Sequence, residues 1–529
     1  MDSNSPETNG INKAMIAVVG VFILGLVIWG VASPEGLDNA MNATLGWVTT
    51  NLGWLFLVVV LFFVIAMIIV MISKWGRIRL GGDDAKPEYS TWAWFAMLFA
   101  AAMGIGLVFW GVSEPLSHYF YPPTGVEPGS DQAVGVALRY SFFHWGLSAW
   151  VVYAVVGMAL GYFHYNLGKP FLVSSVIEPI VGNQRWLLPL ADFAAIFATF
   201  LGVATSLGLG VMQVAEGLNM VFGFPVSNTI YAILVIVFTL CFIISAVTGI
   251  DRGIYWLSNT NLALAGFLLV AVFIMGNPQF VLTSLTEGLG GMIQNFIGMS
   301  TWTNNLNDGA FVSGWTVFYW AWWIAWAPFV GGFIARISKG RTIREFVMGV
   351  LIVPQVICAT WMCVWGGNAL YMQHTGAFDF QPMLDASVAS PIFGLLQQFP
   401  AWIFFSICVM LVIAIFFITS ADSATFTVSM YCSYGNENPK TWLRVLLGSF
   451  EGGLALILLI TGGLAALQTA SIVGSLPFMI FMVMMFVSIG KALNKEVAEK
   501  EQEALNEGVK KYLAGKTIDE TLTTEPIDA

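Results

Sequence analysis

Charge is what this chain has least of. Asp, Glu, Lys and Arg make up only 10% of its 529 residues, against roughly 25% in a soluble domain. A deficit of that depth excludes a water-soluble globule, because most of the surface has to face lipid. The 21 basic and 31 acidic residues give a formal net charge of −10, with the acids spread through loops and tails. Basic surface is too sparse for a nucleic-acid partner. Cysteine is scarce as well. Cys241, Cys358, Cys363, Cys408 and Cys432 lie in or beside apolar runs, without the paired spacing of a disulfide framework or a zinc site. They read as small apolar packing residues. The four histidines, His118, His144, His164 and His374, are scattered, and HExxH, GxxxxGK[ST] and GxSxG are all absent. The sequence therefore gives no reason to expect an enzyme or a bound cofactor, and it offers no ATP site.

Apolar sequence is what the chain has in abundance: 57% of residues are hydrophobic and the mean hydropathy is +0.78. Crossing a hydrocarbon core of ~30 Å takes about 20 apolar residues. Twelve runs qualify, near 14–32, 51–73, 91–112, 136–163, 189–214, 226–248, 256–276, 312–336, 345–371, 400–432, 443–464 and 466–490. The acidic, polar start and the long first run predict a true first span, not a cleaved signal peptide. Residues 281–300 are apolar but broken by glycines, which predicts an amphipathic helix lying along the interface. Twenty of the 21 Lys and Arg residues fall in the two tails and in alternate loops. Arg139, near the outer end of the fourth run, is the exception. Basic residues gather on the cytoplasmic side, so the pattern predicts an even number of spans with both termini inside.

Three spans carry more than lipid-facing side chains. The third holds AAAMGIGLVFWGVSEP, residues 100–115, with Gly104 and Gly106 at mid-membrane. Such glycines serve close helix packing or an unwound stretch whose backbone lines a solute site. The tenth holds FFITSADSAT, residues 416–425. Its hydroxyls are oxygen ligands for a hard monovalent cation, and an intramembrane Asp422 is a functional candidate. The bland alternative is Ser and Thr bonding their own backbone, with Asp422 reached by water. The eighth packs Trp320, Trp322, Trp323 and Trp326 into FYWAWWIAWAPF, and the fourth adds Trp145, Trp150 and Tyr153. Trp29, Trp47, Trp75, Trp402 and Trp442 sit where interfacial belts are expected; the mid-span rings do not. Rings facing a cavity attract a weakly hydrated cation such as a quaternary ammonium. Their bland alternative is bulky helix packing.

Together MGIGLVFWGVSEP (103–115), HWGLSAWVVYAVVG (144–157) and FYWAWWIAWAPFVGGFIARISKGRTIREF (318–346) closely resemble the betaine/carnitine/choline transporter family. The resemblance covers roughly residues 14–490. It implies an all-α integral membrane protein of 12 transmembrane helices. Residues 14–73 would form two accessory helices between a tail at 1–13 and two inverted five-helix repeats, LeuT-like, at 91–276 and 312–490. Helix 281–300 would lie at the contacts of a homotrimer, and 491–529 would form a C-terminal tail. By similarity, the aromatic box falls on Trp145, Trp150, Tyr153 and Trp323, with Trp322 and Trp326 along its floor or pathway, and Gly104 and Gly106 beside the solute. Sodium-coupled members bind one cation between broken third and tenth spans. The matching positions are the carbonyls of Ala100, Met103 and Phe416 and the hydroxyls of Thr419 and Ser420. Of a second sodium site Thr199 and Phe329 match, but its second threonine falls on Val203, which has no side-chain oxygen.

The chain departs from the family elsewhere too. Ala102 replaces the first glycine of a GMGIG run, which predicts a stiffer third span. The tail has six lysines, nine acids and no arginine, unlike the Arg-rich tails of osmosensing members. The resemblance implies sodium-coupled import of a small onium zwitterion across the bacterial inner membrane by alternating access. Glycine betaine stands foremost among the solutes, with dimethylsulfoniopropionate, carnitine and choline open. A proton-coupled carrier or an ion-independent exchanger remains the alternative. A cation channel is more distant, because no continuous polar stripe runs along several helices.

Overall fold

The computed structural model describes residues 10–102, 104–248, 251–304 and 309–522. Among them the chain is helical, and its one β-bridge joins Arg79 to Thr342. The first helices are α1 (Lys13–Ala32) and α2 (Pro34–Ile72). Next come α3 (Thr91–Ala102), α4 (Ile105–Phe120), α5 (Asp131–Trp145), α6 (Leu147–Tyr165) and the short α7 (Val173–Val181). The long α8 (Leu187–Phe222), α9 (Asn228–Thr248), α10 (Asp251–Met275) and α11 (Pro278–Thr301) follow. A π-helical turn at Val312–Val317 leads into α12 (Phe318–Ile337), and then α13 (Ile343–Met362). After α14 (Asn368–His374), α15 (Gln381–Ala386) and α16 (Pro391–Gln397), the chain ends in α17 (Trp402–Tyr431) and α18 (Thr441–Leu522).

Ten helical stretches among the described residues are long and apolar enough to cross a membrane. They differ from the twelve expected spans at two places. The third span is interrupted: α3 stops at Ala102 and α4 starts at Ile105, so neither piece is span-length alone. Ala102 therefore does not carry the helix through the glycine region. The eleventh and twelfth spans join in α18 across a kink at Gly463, whose φ of 55° favours glycine. The interfacial segment expected at 281–300 is helix α11, and it is not among the ten.

Two further findings correct the sequence reading. α17 runs unbroken from Trp402 to Tyr431, so of the two spans expected to be broken around a cation site only the third is. The fourth span is instead divided, at Gly146, into α5 and α6. A Cβ on Gly146 would lie 1.8 Å from Oε1 of Gln355 and 2.5 Å from the Phe142 carbonyl. Gln355 fills that space and accepts from the Leu147 N–H at 2.7 Å, satisfying a donor that the break leaves without a helical partner.

The basic loops gather at one end of the bundle, called here the tail end. Gly340 and Ile343 donate backbone N–H groups to the carbonyls of Leu80 and Ile78. Arg341 reaches back to Thr91 Oγ1 and the Tyr89 carbonyl and stacks on Trp94. The segment ARISKGRTIREF thus clamps the start of α3 beside the turn into α13. Thr342 and Glu345 form a reciprocal capping box on α13. The C-terminal part of α18 joins the same end. Glu496 accepts from Tyr162 at 2.7 Å, and Lys500 pairs with Asp83.

Candidate functional site

The interruption between α3 and α4 borders two cavities. Gly104 is extended (φ −158°, ψ 177°) and opens α4 without a side-chain cap. The first turn of α4 therefore presents backbone N–H groups that the helix cannot use. Gly104, Gly106, Trp145, Trp150, Tyr153, Trp322, Trp323 and Trp326 line one small cavity of about 40 Å³, with Cys358 and Ala149 completing the wall. All six aromatic residues expected to hold the solute are thus brought together, along with both glycines.

The rings are held edge to face and in stacks. Trp145 meets Trp323 at 4.8 Å with planes 69° apart, and Trp150 meets Tyr153 at 5.4 Å and 83°. Trp322 stacks on Trp323 at 5.0 Å and 13°. The N–H groups of Trp322, Trp323 and Trp326 are engaged by residues outside the cavity lining. Trp322 and Trp326 both donate to the Gly202 carbonyl, at 3.3 and 2.9 Å, and Trp323 donates to the His144 carbonyl at 3.0 Å. What remains facing inward is ring surface. Gly106 allows this closeness, since a Cβ there would lie 2.5 Å from Trp322 and 2.9 Å from Trp145.

A second cavity of about 170 Å³ shares Gly104, Trp326 and Val330 with the first. Ala100, Phe416, Thr419 and Ser420 line it, as do Phe329, Ser258 and Asn261. Four of the five residues expected to bind a cation therefore surround one space; Met103 lies outside the described residues. The donor set is of hard oxygens, as a small monovalent cation requires. Asn261 is buried with neither amide atom hydrogen-bonded. The sequence reading missed it, for want of any local pattern around one Asn on the seventh span. Thr199 is not among the residues lining either cavity. Its hydroxyl donates to Ala195 of its own helix at 2.8 Å. Val203, one turn on, is fully buried.

A third cavity of about 240 Å³ shares Phe329, Phe333 and Ser423 with the second and lies toward the tail end, between Arg336, Asp422, Phe426 and Arg444. Asp422 forms an ion pair there with Arg444 at 2.9 Å. It stands apart from the lining of the cation cavity.

The opposite side of the box is solid. Glu114, His118 and His144, from α4 and α5, have no exposed side-chain surface. Glu114 accepts from Trp145 Nε1 at 2.7 Å and the Tyr319 hydroxyl at 2.5 Å, and hydrogen-bonds with His118 Nε2 at 3.2 Å and His144 Nδ1 at 2.7 Å. The Thr316 hydroxyl and His144 Nε2 are hydrogen-bonded at 3.0 Å. Two histidines that are scattered in the sequence thus converge on one carboxylate. The one local signal was Glu114 and His118 four apart on one helix face.

A bundle of apolar helices, an interrupted span at its centre and a buried aromatic cavity define a membrane transporter, not an enzyme. Residues 14–498 match the profile of the BCCT, betaine/carnitine/choline family transporters, and the chain belongs to that family. It is 43% identical over 485 residues to the glycine betaine transporter OpuD of Bacillus subtilis, covering 91% of this chain and 94% of the relative. An ectoine/hydroxyectoine transporter of Virgibacillus pantothenticus is 40% identical over 494 residues, 93% of this chain and 99% of its own length. A glycine betaine/proline/choline transporter of Vibrio parahaemolyticus is 35% identical over 504 residues, 92% and 91% of the two chains.

Proposed function

We propose that this protein imports a small zwitterion with a methylated onium head, glycine betaine foremost, in symport with a single sodium ion. One observation carries the reading. An aromatic cavity suited to a cation that cannot donate hydrogen bonds shares Gly104 with an oxygen-lined cavity suited to a hard cation. The onium head would lie among Trp145, Trp150, Tyr153 and Trp323. Its carboxylate would face the N-terminal turn of α4 at Gly104 and Gly106, where the helix dipole favours an anion. Sodium would take oxygens of Ala100, Met103, Phe416, Thr419 and Ser420, with Asn261 beside them. Binding of both would draw α3, α4 and α17 together, and rocking of one five-helix repeat against the other would alternate access. The basic loops support a cytoplasmic tail end in the bacterial inner membrane, and α11 supports assembly as a homotrimer. Val203, which offers no side-chain oxygen where a second hydroxyl would be needed, favours one sodium over two.

Uptake of labelled glycine betaine into proteoliposomes tests this, with an inward sodium gradient or with potassium in its place. Uptake that needs sodium is the expected result. Flux without sodium that requires substrate preloaded inside would make the protein an exchanger. Flux that follows a proton gradient would move the coupling to protons. The glycine betaine named for the Bacillus subtilis relative and the glycine betaine and choline named for the Vibrio parahaemolyticus relative favour a quaternary ammonium among the candidate solutes.

A further inference from the structure

Glu114 is a buried carboxylate outside the box, yet it touches the box directly. One of its oxygens, Oε2, accepts from the indole N–H of Trp145 at 2.7 Å and from the Tyr319 hydroxyl at 2.5 Å. The other is hydrogen-bonded with the two imidazoles. Two donors on Oε2 and two imidazoles within hydrogen-bond reach of Oε1 surround the carboxyl with groups that stabilise its ionised form. Thr316 holds His144 from its other edge, its hydroxyl 3.0 Å from Nε2. The titratable groups packed around Glu114 are His118, His144 and Tyr319, with Tyr140 against both histidines. No lysine or arginine hydrogen-bonds or ion-pairs with it among the described residues.

The consequence falls on Trp145. A charge-assisted hydrogen bond is short and strong, and stronger in a dry interior than in water. An N–H donating to an anion passes electron density back to its ring. The face of an indole attracts cations through that density. The Trp145 ring is wedged between Trp323, at 4.8 Å, and Trp322, at 6.1 Å, so its orientation sets the width of the box. Trp323 is tied to the same assembly through the His144 carbonyl.

We propose that Glu114 is a positioning and specificity-determining residue: it fixes Trp145 through the indole N–H and makes that wall of the box more attractive to a cationic head than to a neutral group of the same shape. The proposal rests on the reading of the box as an onium site, and it assigns the discrimination between charge and shape to a residue that does not line the cavity.

The test compares an onium solute with its carbon isostere. Glycine betaine and 3,3-dimethylbutanoate differ in a quaternary nitrogen against a quaternary carbon, and both are titrated against the purified full-length protein. In the unaltered protein, glycine betaine should bind more tightly. Glu114→Gln keeps the size and one acceptor but removes the charge. It should weaken glycine betaine about tenfold and leave the isostere within about twofold. Equal weakening of the two would mean that Glu114 only supports the fold, and would overturn the proposal. Tyr319→Phe keeps the ring on Trp323 while leaving Oε2 to the Trp145 N–H. The ratio of the two affinities should then stay level or rise, and a fall would overturn the proposal even were Glu114→Gln not to fold. Equal binding of both solutes by the unaltered protein would sink the onium reading of the box instead, and this proposal with it.

Discussion

Single side chains in this protein are set by what their neighbours leave no room for. Trp323 presents its face to the cavity because its N–H is engaged by the His144 carbonyl and its other face by Trp322. Replacing Trp323 with leucine keeps apolar volume but removes the ring. The KM for glycine betaine uptake should rise by about tenfold or more, and an unchanged KM would take Trp323 out of the box. Gly104 and Gly106 make a second test because they differ in surroundings. A methyl at Gly106 meets two tryptophan rings, whereas one at Gly104 meets nothing within 4 Å. Gly106→Ala should overpack the box at a cost of about 1–3 kcal/mol and raise KM steeply. Gly104→Ala should insert and melt like the unaltered protein, and thermal melts of the two variants would separate these outcomes. The box itself was legible from the sequence because tryptophan at mid-span contradicts its usual interfacial place. The cluster behind it was not. Glu114, His144 and Tyr319 come from three separate helices, and no spacing along the chain records their convergence.

At the scale of elements, interruptions place the chemistry. The third span opens at Gly104 to expose a helix N-terminus, and the fourth opens at Gly146 between Trp145 and Trp150. The first break was readable from glycines following a run of alanines. The second was not, since one glycine in an apolar run usually passes through a membrane helix without consequence. Its cause lies in Gln355 on α13 together with the Phe142 carbonyl, which both occupy the space a side chain at 146 would need. Gly146→Ala should therefore lower the melting temperature by several degrees. Removing the clashing amide as well, in Gly146→Ala with Gln355→Ala, should not restore it, because the Phe142 carbonyl still lies 2.5 Å from the added carbon. Full recovery in the double variant would show that Gln355 alone dictates the break. The tenth span shows the converse. The family resemblance implied a broken helix there, yet Thr419 and Ser423 donate back to carbonyls within α17, which stays intact.

Across the whole molecule the three cavities form a series. Each shares wall residues with the next, from the aromatic box through the oxygen-lined space to Arg336 and Arg444 at the tail end. On the other side the packing of Glu114, His118, His144 and Tyr319 leaves no opening. This is the shape of a carrier open toward its tail end. A cysteine at Ser423, which is exposed and lines two of the cavities, should be modified by a water-soluble thiol reagent reaching that end. One at buried Thr316 should resist, in a background where the exposed Cys241 is replaced by serine. Labelling at 316 but not 423 would reverse the assigned opening. The alternation of basic loops made the two ends legible in the sequence. Which end stands open was not, because sequence fixes the helices while the opening depends on how they lean.

Val203 carries an energetic consequence for the cell. On the sodium-coupled reading, each sodium that accompanies a neutral zwitterion contributes the work of its gradient. A tenfold sodium ratio supplies about 1.4 kcal/mol, and a potential of 100 mV adds about 2.3 kcal/mol. One sodium per solute then supports accumulation of about 500-fold, whereas two would support the square of that. With one sodium, as proposed from the missing hydroxyl on α8, the ceiling would be the lower one, and the sodium to be pumped back out for every molecule taken in would be halved.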